Sequence, residues 1–194
     1  MIMQNNNLEI LNAKKNLLSL LKERAFKKGD FILSSGRRSN FFIDCKRVIL
    51  SAIGHELVGL TFLETLKDWM PINAVAAVAV GGCPLASAVS TISRLKQPPG
   101  IDAIYIRKER KDHGTGNIID GTEFLQKKSR VAVLEDVLTT GASLRWAIEK
   151  LLEKDFIVPV AIVLVDREEG GKETLEDLNI PIVSMFKKGD FINE

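Results

Sequence analysis

The chain has 194 residues, of which 45% are hydrophobic and 27% charged, and its formal net charge is +2. This composition is that of an average soluble globular protein, and it excludes a disordered or fibrous chain. The length suits a single domain of ordinary size. The net charge is too small to indicate a nucleic-acid-binding protein, since such domains usually carry clustered cations and a strongly basic balance.

The first third of the chain is predicted to hold two helices and a pair of short strands. Over residues 8–26 the apolar positions recur at three- and four-residue steps, which is typical of an amphipathic helix. Short strands are predicted at 31–33 and 40–44, on either side of a turn-forming Ser-Ser-Gly-Arg-Arg-Ser run. A second helix is predicted over residues 51–69.

After Pro71 the pattern changes to short, almost wholly apolar runs separated by glycine-rich turns and helical segments. Such runs are typical of parallel strands that are buried on both faces. Strands are predicted at 74–80, 101–106, 131–134, 157–165 and 182–185, and helices at 84–95 and 142–154. This order predicts an α/β fold with an open, mostly parallel sheet flanked by helices.

The segment that follows the second of these strands differs from its neighbours. Residues 107–121, RKERKDHGTGNIIDG, are rich in charge and glycine and show no periodicity. A segment of this kind cannot bury one face against a core, so we predict a long loop.

Cysteine usage and hydropathy bear on the compartment. Cys45 and Cys83 form no CxxC pair and have no histidines at metal-ligand spacing, so they predict neither a disulfide framework nor a zinc site. The N-terminus has no cationic start followed by an apolar run, and no stretch reaches the 18 or so apolar residues of a membrane span. We therefore expect a cytoplasmic protein with no membrane partner.

The most informative segment covers residues 131–143, VAVLEDVLTTGAS, and precedes a helical pattern. Its turn would place hydroxyls and free amides at a helix N-terminus, where an anion such as phosphate is favoured. The acid pair Glu135-Asp136 would repel a bare phosphate, and its natural partners are ribose hydroxyls with a bound magnesium ion. A sugar phosphate satisfies both halves of the segment. The alternative is an ordinary strand end followed by a threonine-capped helix.

Two motifs carry a resemblance to a known family. Four hydrophobic residues followed by Glu-Asp-Val-Leu-Thr-Thr-Gly, ending at Gly141, resemble the motif of type I phosphoribosyltransferases that binds phosphoribosyl diphosphate (PRPP). Arg107-Lys108 and then Lys111-Asp-His113-Gly resemble the flexible loop of orotate phosphoribosyltransferases. The resemblance extends over residues 29–171, nearly the whole chain.

The resemblance implies an architecture and partners as well as an activity. It implies one phosphoribosyltransferase domain over residues 1–194, with an N-terminal helix and a small hood over about 1–70 and an α/β core over about 71–194. PRPP and orotate are the expected substrates, and no nucleic acid is expected to bind. Magnesium is the expected cofactor, held through PRPP rather than by direct protein ligation, with Glu135 and Asp136 as the open alternatives. A homodimer with shared active sites is the expected assembly.

The matching residues take expected roles from the same resemblance. Lys111, His113 and Asp136 are expected to be catalytic. The expected PRPP contacts are Arg107, Lys108, Lys111, His113, Glu135, Asp136, Val137, Leu138, Thr139, Thr140, Gly141, Ala142, Ser143, Gly81 and Gly82. The expected orotate contacts are Phe41, Phe42, Thr139 and Arg167.

Charge and shape give physical reasons for three of these roles. Pyrophosphate leaves with high negative charge, so Lys111 and His113 would lower the barrier by meeting that charge. Arg167 follows a strand's carboxyl end, where ligands bind in open α/β sheets, and its planar guanidinium can grip a carboxylate at two points. Phe41 and Phe42 would offer a stacking face. For Lys111 and His113 the alternative is a solvated charge run, and for Arg167 it is a surface salt bridge. For Phe41 and Phe42 the alternative is that one ring lies in the core and the other is exposed.

Two positions depart from the family pattern. Many members carry a lysine where Ser34 stands and another where Gly81 stands, and those lysines meet the charges of PRPP or orotate. Arg37, Arg38 and Arg47 are candidates for compensation. The other interpretations of the two missing lysines are weaker binding of PRPP or orotate, or a phosphoribosyltransferase for another base. A further alternative is a PRPP-sensing regulator that binds nucleic acid. The small net charge offers little support for the regulator.

Overall fold

The computed structural model describes residues 2–32, 38–108 and 118–192. The helices are α1 (Ile2–Arg24), α2 (Lys46–Ile49), α3 (Ala52–Leu66), α4 (Cys83–Lys96), α5 (Ala142–Glu153) and α6 (Gly189–Ile192). The strands are β1 (Phe26–Ile32), β2 (Arg38–Ile43), β3 (Ala74–Val78), β4 (Asp102–Ile106), β5 (Ile119–Asp120), β6 (Val131–Leu138), β7 (Ala161–Asp166) and β8 (Ile182–Lys187). Short 3₁₀ helices cover Lys67–Trp69 and Glu173–Leu178. Within these described ranges, no helix combines the length and apolarity that crossing a bilayer requires.

Six strands form one sheet in the order β5-β4-β3-β6-β7-β8. All neighbouring pairs are parallel except β4 and β5. The chain passes from β3 to β4 on one side and then to β6 on the other side, so the strand order reverses between β3 and β6. In open α/β sheets, ligands bind at the carboxyl ends of the strands beside such a switch point. The predicted mostly parallel α/β sheet is confirmed.

The two faces of the sheet carry separate apolar clusters because side chains alternate along a strand. Residues such as Ala77 and Leu134 belong to the cluster that α1, α3 and α4 cover. Their neighbours Ala76 and Val133 belong to the cluster that α5 covers. Strands buried on both faces must be apolar at every position, which explains the continuous hydrophobic runs in the sequence.

The N-terminal segment packs on the first of these clusters. Strands β1 and β2 form a separate antiparallel pair, with Phe26 opposite Ile43. From this pair, the Phe41 ring lies 5.2 Å from that of Phe26 and 5.7 Å from that of Phe191 near the C-terminus. The predicted hood is therefore attached to the core by aromatic packing.

The strand boundaries differ from the predictions, and three of the differences bear on the site. The strand predicted at 157–165 begins at Ala161, because Pro159 cannot donate a ladder hydrogen bond and Ile157 makes only an isolated bridge. The strand predicted at 131–134 continues to Leu138, because its pairing with β7 persists to the end of both strands. The strand predicted at 74–80 ends at Val78.

The predicted loop also contains structure. Residues 119–120 form β5, which pairs with the end of β4. Residues 109–117, in the middle of that loop, lie outside the described residues.

Candidate active site

Four segments meet at the carboxyl edge of the sheet, after β3, β4, β6 and β7. A Cβ placed on Gly81, after β3, would lie 3.0 Å from the Asp136 carboxylate of β6. The Arg167 amide, after β7, donates to the Leu138 carbonyl at 3.0 Å. Lys108, after β4, lies close enough for its charge to act on Glu135. The edge therefore gathers most of the residues that the sequence motifs single out.

The turn after β6 has the geometry of an anion site. Gly141 adopts φ +79° and caps the N-terminus of α5, where free amides and the helix dipole favour negative charge. The Thr174 hydroxyl stabilises the turn, because its Oγ1 lies within hydrogen-bond distance, 2.8 Å, of the carbonyl oxygens of Thr140 and Gly171. The turn is thus held in place before any ligand arrives.

An open cavity of about 80 Å³ adjoins this turn. Its lining consists of Glu135, Val137, Leu138, Thr139, Thr140, Gly141, Ala142, Ser143 and Leu144. Because one water occupies about 30 Å³ of liquid, the cavity has room for a phosphate-sized group. The predicted turn and one member of the acid pair therefore share one cavity, which side chains do not fill.

The two acids divide between two turns. Glu135 is 8% exposed, lines the cavity, and has a buried Oε2 for which the described residues provide no hydrogen-bond partner. Asp136 instead faces Gly81, and its Oδ1 accepts the Val137 amide at 3.0 Å. The pair therefore spans the distance between the turn after β6 and the turn after β3.

Glu135 is electrostatically unusual. Burial, and next the negative charge of Asp136, raise the pKa of Glu135 to about 8, against a partial opposing effect of Lys108. Near neutral pH the Glu135 carboxyl is therefore largely protonated in the unliganded protein, and it can donate a hydrogen bond into the cavity.

The base of the predicted loop is anchored by an ion pair. The Arg107 guanidinium donates to Asp120 at 2.6 Å, and the Arg107 amide donates to the Ile118 carbonyl at 2.8 Å. Arg107 thus ties the two ends of the loop together. Lys111 and His113 lie outside the described residues, and their roles stay predictions.

The two phenylalanines have different environments, as strand alternation requires. Phe41 is fully buried in the core, so in this structure its ring has no open face on which orotate could stack. Phe41 packs in the core here, and its predicted contact with orotate stays a prediction. Phe42 is only half-buried, 5.2 Å from the Phe31 ring, and keeps the predicted stacking role.

Arg167 is buried, with 7% of its surface exposed, which excludes a surface salt bridge. Its Nη2 donates to the Phe41 carbonyl at 3.1 Å and lies 2.9 Å from the Glu169 carboxylate. Arg167 therefore joins the hood to the end of β7. A carboxylate-bearing ligand would share or replace Glu169 at this guanidinium.

Sequence reasoning missed two charged residues beside the acid pair, Asp44 and Lys46. They flank Cys45, whose Sγ lies 3.9 Å from the Asp136 carbonyl oxygen. The signal was a charged run, Asp-Cys-Lys-Arg, directly after a strand. Of the arginines expected to compensate, Arg47 lies 3.8 Å from Asp44, Arg38 is described by its backbone only, and Arg37 lies outside the described residues, as does Ser34.

Sequence comparisons identify the family of this chain. No protein-family model matches it. The orotate phosphoribosyltransferase of Sorangium cellulosum is 46% identical over 179 residues, which cover 92% of this chain and 93% of that protein. The orotate phosphoribosyltransferase of Synechocystis sp. is 41% identical over 181 residues, which cover 93% and 89%. The chain belongs to the orotate phosphoribosyltransferase family.

A structural comparison agrees. A solved structure of the Mycobacterium tuberculosis orotate phosphoribosyltransferase in complex with PRPP matches with a TM-score of 0.75 at 27% identity, covering 92% of this chain and 98% of that one. The expected type I phosphoribosyltransferase fold is confirmed. The expected enzyme class, a pentosyltransferase of pyrimidine biosynthesis, is confirmed by the sequence relatives.

Two glycines test the anion turn as a matched pair. Gly141 and Gly170 both have positive φ, +79° and +88°, but a Cβ on Gly141 would lie 2.6 Å from the Gly171 carbonyl, whereas a Cβ on Gly170 meets nothing within 4 Å. Both alanine variants should lose about 1–2 kcal/mol of stability through backbone strain. Gly141→Ala should lose a further 1–3 kcal/mol or so through overpacking, together with most of its affinity for ribose 5-phosphate.

Urea unfolding and calorimetric titration with ribose 5-phosphate measure these two effects. Equal losses of stability and affinity in the two variants would contradict the assigned turn geometry.

The raised pKa of Glu135 predicts a pH dependence of stability. The folded protein holds a proton on Glu135 up to about pH 8, whereas the unfolded chain releases it near the ordinary glutamate pKa of 4.5. Stability should therefore fall as the pH rises through this window, by at most about 1.4 kcal/mol per pH unit. Glu135→Gln cannot titrate and should lack this fall.

The measurement is urea unfolding of the metal-free protein at about pH 5.5 and about pH 8.5. The exposed residue Glu123, changed to Gln, is the control and should follow the wild type. If the Glu135→Gln and wild-type curves run parallel, the Glu135 carboxyl is not protonated in the folded state.

Proposed function

We propose that this enzyme transfers the ribose 5-phosphate unit of PRPP to orotate, giving orotidine 5'-monophosphate and pyrophosphate. The observation that carries the proposal is the open cavity shared by the turn after β6 and the buried Glu135 carboxyl. A ligand with a phosphate at one end and a diol at the other fits this arrangement. The Mycobacterium tuberculosis relative, of the same fold, has been solved in complex with PRPP.

The donor would lie along the carboxyl edge of the sheet. The hydroxyls and amides of residues 139–143 hold the 5-phosphate at the start of α5. Glu135 and Asp136 bind the ribose hydroxyls, and the protonated Glu135 carboxyl can donate as well as accept. The Gly81 amide donates to the diphosphate, and the absence of a side chain there permits a close approach. Gly82 supports this turn from the protein side, because its amide donates to the Val78 carbonyl at 3.0 Å.

The reaction exchanges one bond at the anomeric carbon. The lone pair of an orotate ring nitrogen forms the new carbon–nitrogen bond, with inversion, while the electrons of the carbon–oxygen bond leave with pyrophosphate. The proton that this nitrogen carried is released to solvent. The sugar is cationic in the transition state, so the protein contributes mainly position and charge. Lys111 and His113 neutralise the leaving group, and Asp136 faces the developing cation on the ribose.

Magnesium is part of the proposal, and the residues present fit it. Mg²⁺ prefers oxygen ligands and usually binds one or two carboxylates together with substrate phosphates. Asp136 provides a carboxylate beside the diphosphate turn, and Glu135, neutral in the unliganded protein, would become a second ligand by releasing its proton as the ion binds. The ion would take its remaining oxygen ligands from the phosphates of PRPP. Its contribution would be to offset the charge of the diphosphate.

The acceptor side rests on fewer residues. Arg167 would bind the orotate carboxylate, Phe42 would stack on the ring, and Thr139 would contact it from the turn. We expect the predicted loop, anchored by Arg107 and β5, to close over the ligands between these two ends and to expel water from the reactive sugar.

Domain organisation, assembly and compartment complete the proposal. We propose one domain over residues 1–194, a homodimer with shared active sites, and action in the cytoplasm, with two cysteines that stay reduced. Cys45 and Cys83 are free thiols in the structure.

A base panel tests the proposal. With PRPP and magnesium present, orotate absorbance should be lost at least about a thousandfold faster than uracil, hypoxanthine or adenine is converted, because a site that pairs a substrate group rejects analogues lacking that group. Faster conversion of another base would assign the enzyme to that base. PRPP binding without conversion of any base, together with a shift of DNA or RNA mobility, would support a regulator instead.

A loop variant tests the proposed chemistry. Lys111→Ala should reduce turnover on the order of a hundredfold, while PRPP affinity changes less than tenfold or so, because its charge is needed most as pyrophosphate leaves. Steady-state kinetics and calorimetry separate the two effects. Lys127→Ala, an exposed lysine before β6, is the control. Equal losses of turnover and affinity would count against a role for Lys111 in the transition state.

A further inference from the structure

The start of α2 lies against the acid pair of β6. Cys45, the residue before α2, is fully buried, and its Sγ lies 3.9 Å from the Asp136 carbonyl oxygen. This contact fixes the neighbours of Cys45 in sequence, Asp44 and Lys46, at the carboxyl edge of the sheet. Neither of these charged residues belongs to the motifs by which the family is recognised.

Lys46 is held in this position by its neighbour. Its Nζ lies 2.9 Å from the Asp44 Oδ1, and its side chain is half exposed. The ion pair with Asp44 is the main cause that raises the pKa of Lys46, and the negative charge of Asp136 contributes. The Lys46 ammonium therefore lies within the field of Asp136 while remaining open to a ligand.

The turn after β3 faces the same carboxylate but brings no cation. Gly81 has no side chain, and a Cβ there would lie 3.0 Å from the Asp136 Oδ2. A ligand diphosphate on this turn would thus meet backbone amides and the Asp136 carboxylate. Two like charges so close repel each other, and a cation from another segment, on the hood side, would reduce that repulsion further than magnesium and the loop residues do alone.

We propose that Lys46 supplies to the diphosphate of PRPP the positive charge that the turn at Gly81 lacks. The proposal rests on PRPP being the donor, and not on which base accepts the sugar. Arg47 is a poorer candidate, because its Nε lies 3.8 Å from Asp44, whereas Lys46 lies at 2.9 Å and also feels the charge of Asp136. Lys46 is therefore assigned as a binding residue that reaches the site from the hood side.

Calorimetric titrations of the full chain with magnesium test this role, using PRPP, pyrophosphate and ribose 5-phosphate separately. Lys46→Gln should weaken binding of PRPP and of pyrophosphate about tenfold, because a charge pair near the surface is lost. It should leave ribose 5-phosphate binding unchanged. Lys46→Arg should keep PRPP affinity within about threefold of the wild type, since the positive charge is retained.

Arg47→Gln is the matched control, because Arg47 is equally exposed and pairs with the same carboxylate. It should change PRPP affinity less than twofold or so, as a solvated surface charge does. Thermal unfolding of each variant reports whether the fold is intact.

The outcomes separate this role from the proposed function. If the wild type binds PRPP and Lys46→Gln binds it equally well, the role of Lys46 is wrong while the proposed function stands. Equal losses for Lys46→Gln and Arg47→Gln, or a matching loss of ribose 5-phosphate binding, would also overturn it. A wild type that binds no PRPP refutes the proposed function, and the role of Lys46 with it.

Discussion

The buried carboxyl of Glu135 is the constraint on which the site depends. A carboxyl at the end of a central strand loses the solvation of its charged form, and this cost appears as a raised pKa. The fold keeps the group in place because β6 continues to pair with β7 as far as Leu138 and Asp166. A strand that ended at Leu134, as the apolar run suggested, would have released both acids into solvent. The ladder therefore presents Glu135 to the cavity without any movement of the backbone.

The anion turn depends on support from a distant part of the chain. Thr174, more than thirty residues after the turn, bonds to Thr140 and Gly171, and the Arg167 amide bonds to Leu138. The segment after β7 thus holds the segment after β6. Since binding a phosphate then costs little further ordering, the helix N-terminus can use its dipole and free amides fully. The close contacts around Gly141, where even a methyl group would overlap the Gly171 carbonyl, are part of what holds the turn in place.

Most of the core sheet could be predicted from the sequence, because a short continuous apolar run between helical segments is typical of a strand that helices cover on both faces. The sequence also predicted the turn and the acid pair, whose residue types follow directly from phosphate and diol chemistry. It did not predict that β6 includes Glu135 and Asp136, because strand length was set by pairing with β7 rather than by hydropathy. Nor did it resolve which of Phe41 and Phe42 faces the core, since alternation permits either. Lys46 was missed because the fold alone brings it near Asp136, ninety positions later in the chain, through the contact of Cys45 with the Asp136 carbonyl oxygen.

The buried ion pair of Arg167 and Glu169 bears on which acceptor the site can select. The Arg167 guanidinium is already engaged by a carboxylate and by the Phe41 carbonyl. A neutral base offers no charge to replace Glu169, so it would leave the guanidinium paired with Glu169 and would form no ion pair of its own. An acceptor with its own carboxylate can share the guanidinium or exchange one anion for another, so the charge at Arg167 stays compensated. On the proposed function, Arg167 therefore favours orotate over uracil because only the charged acceptor can pair with it.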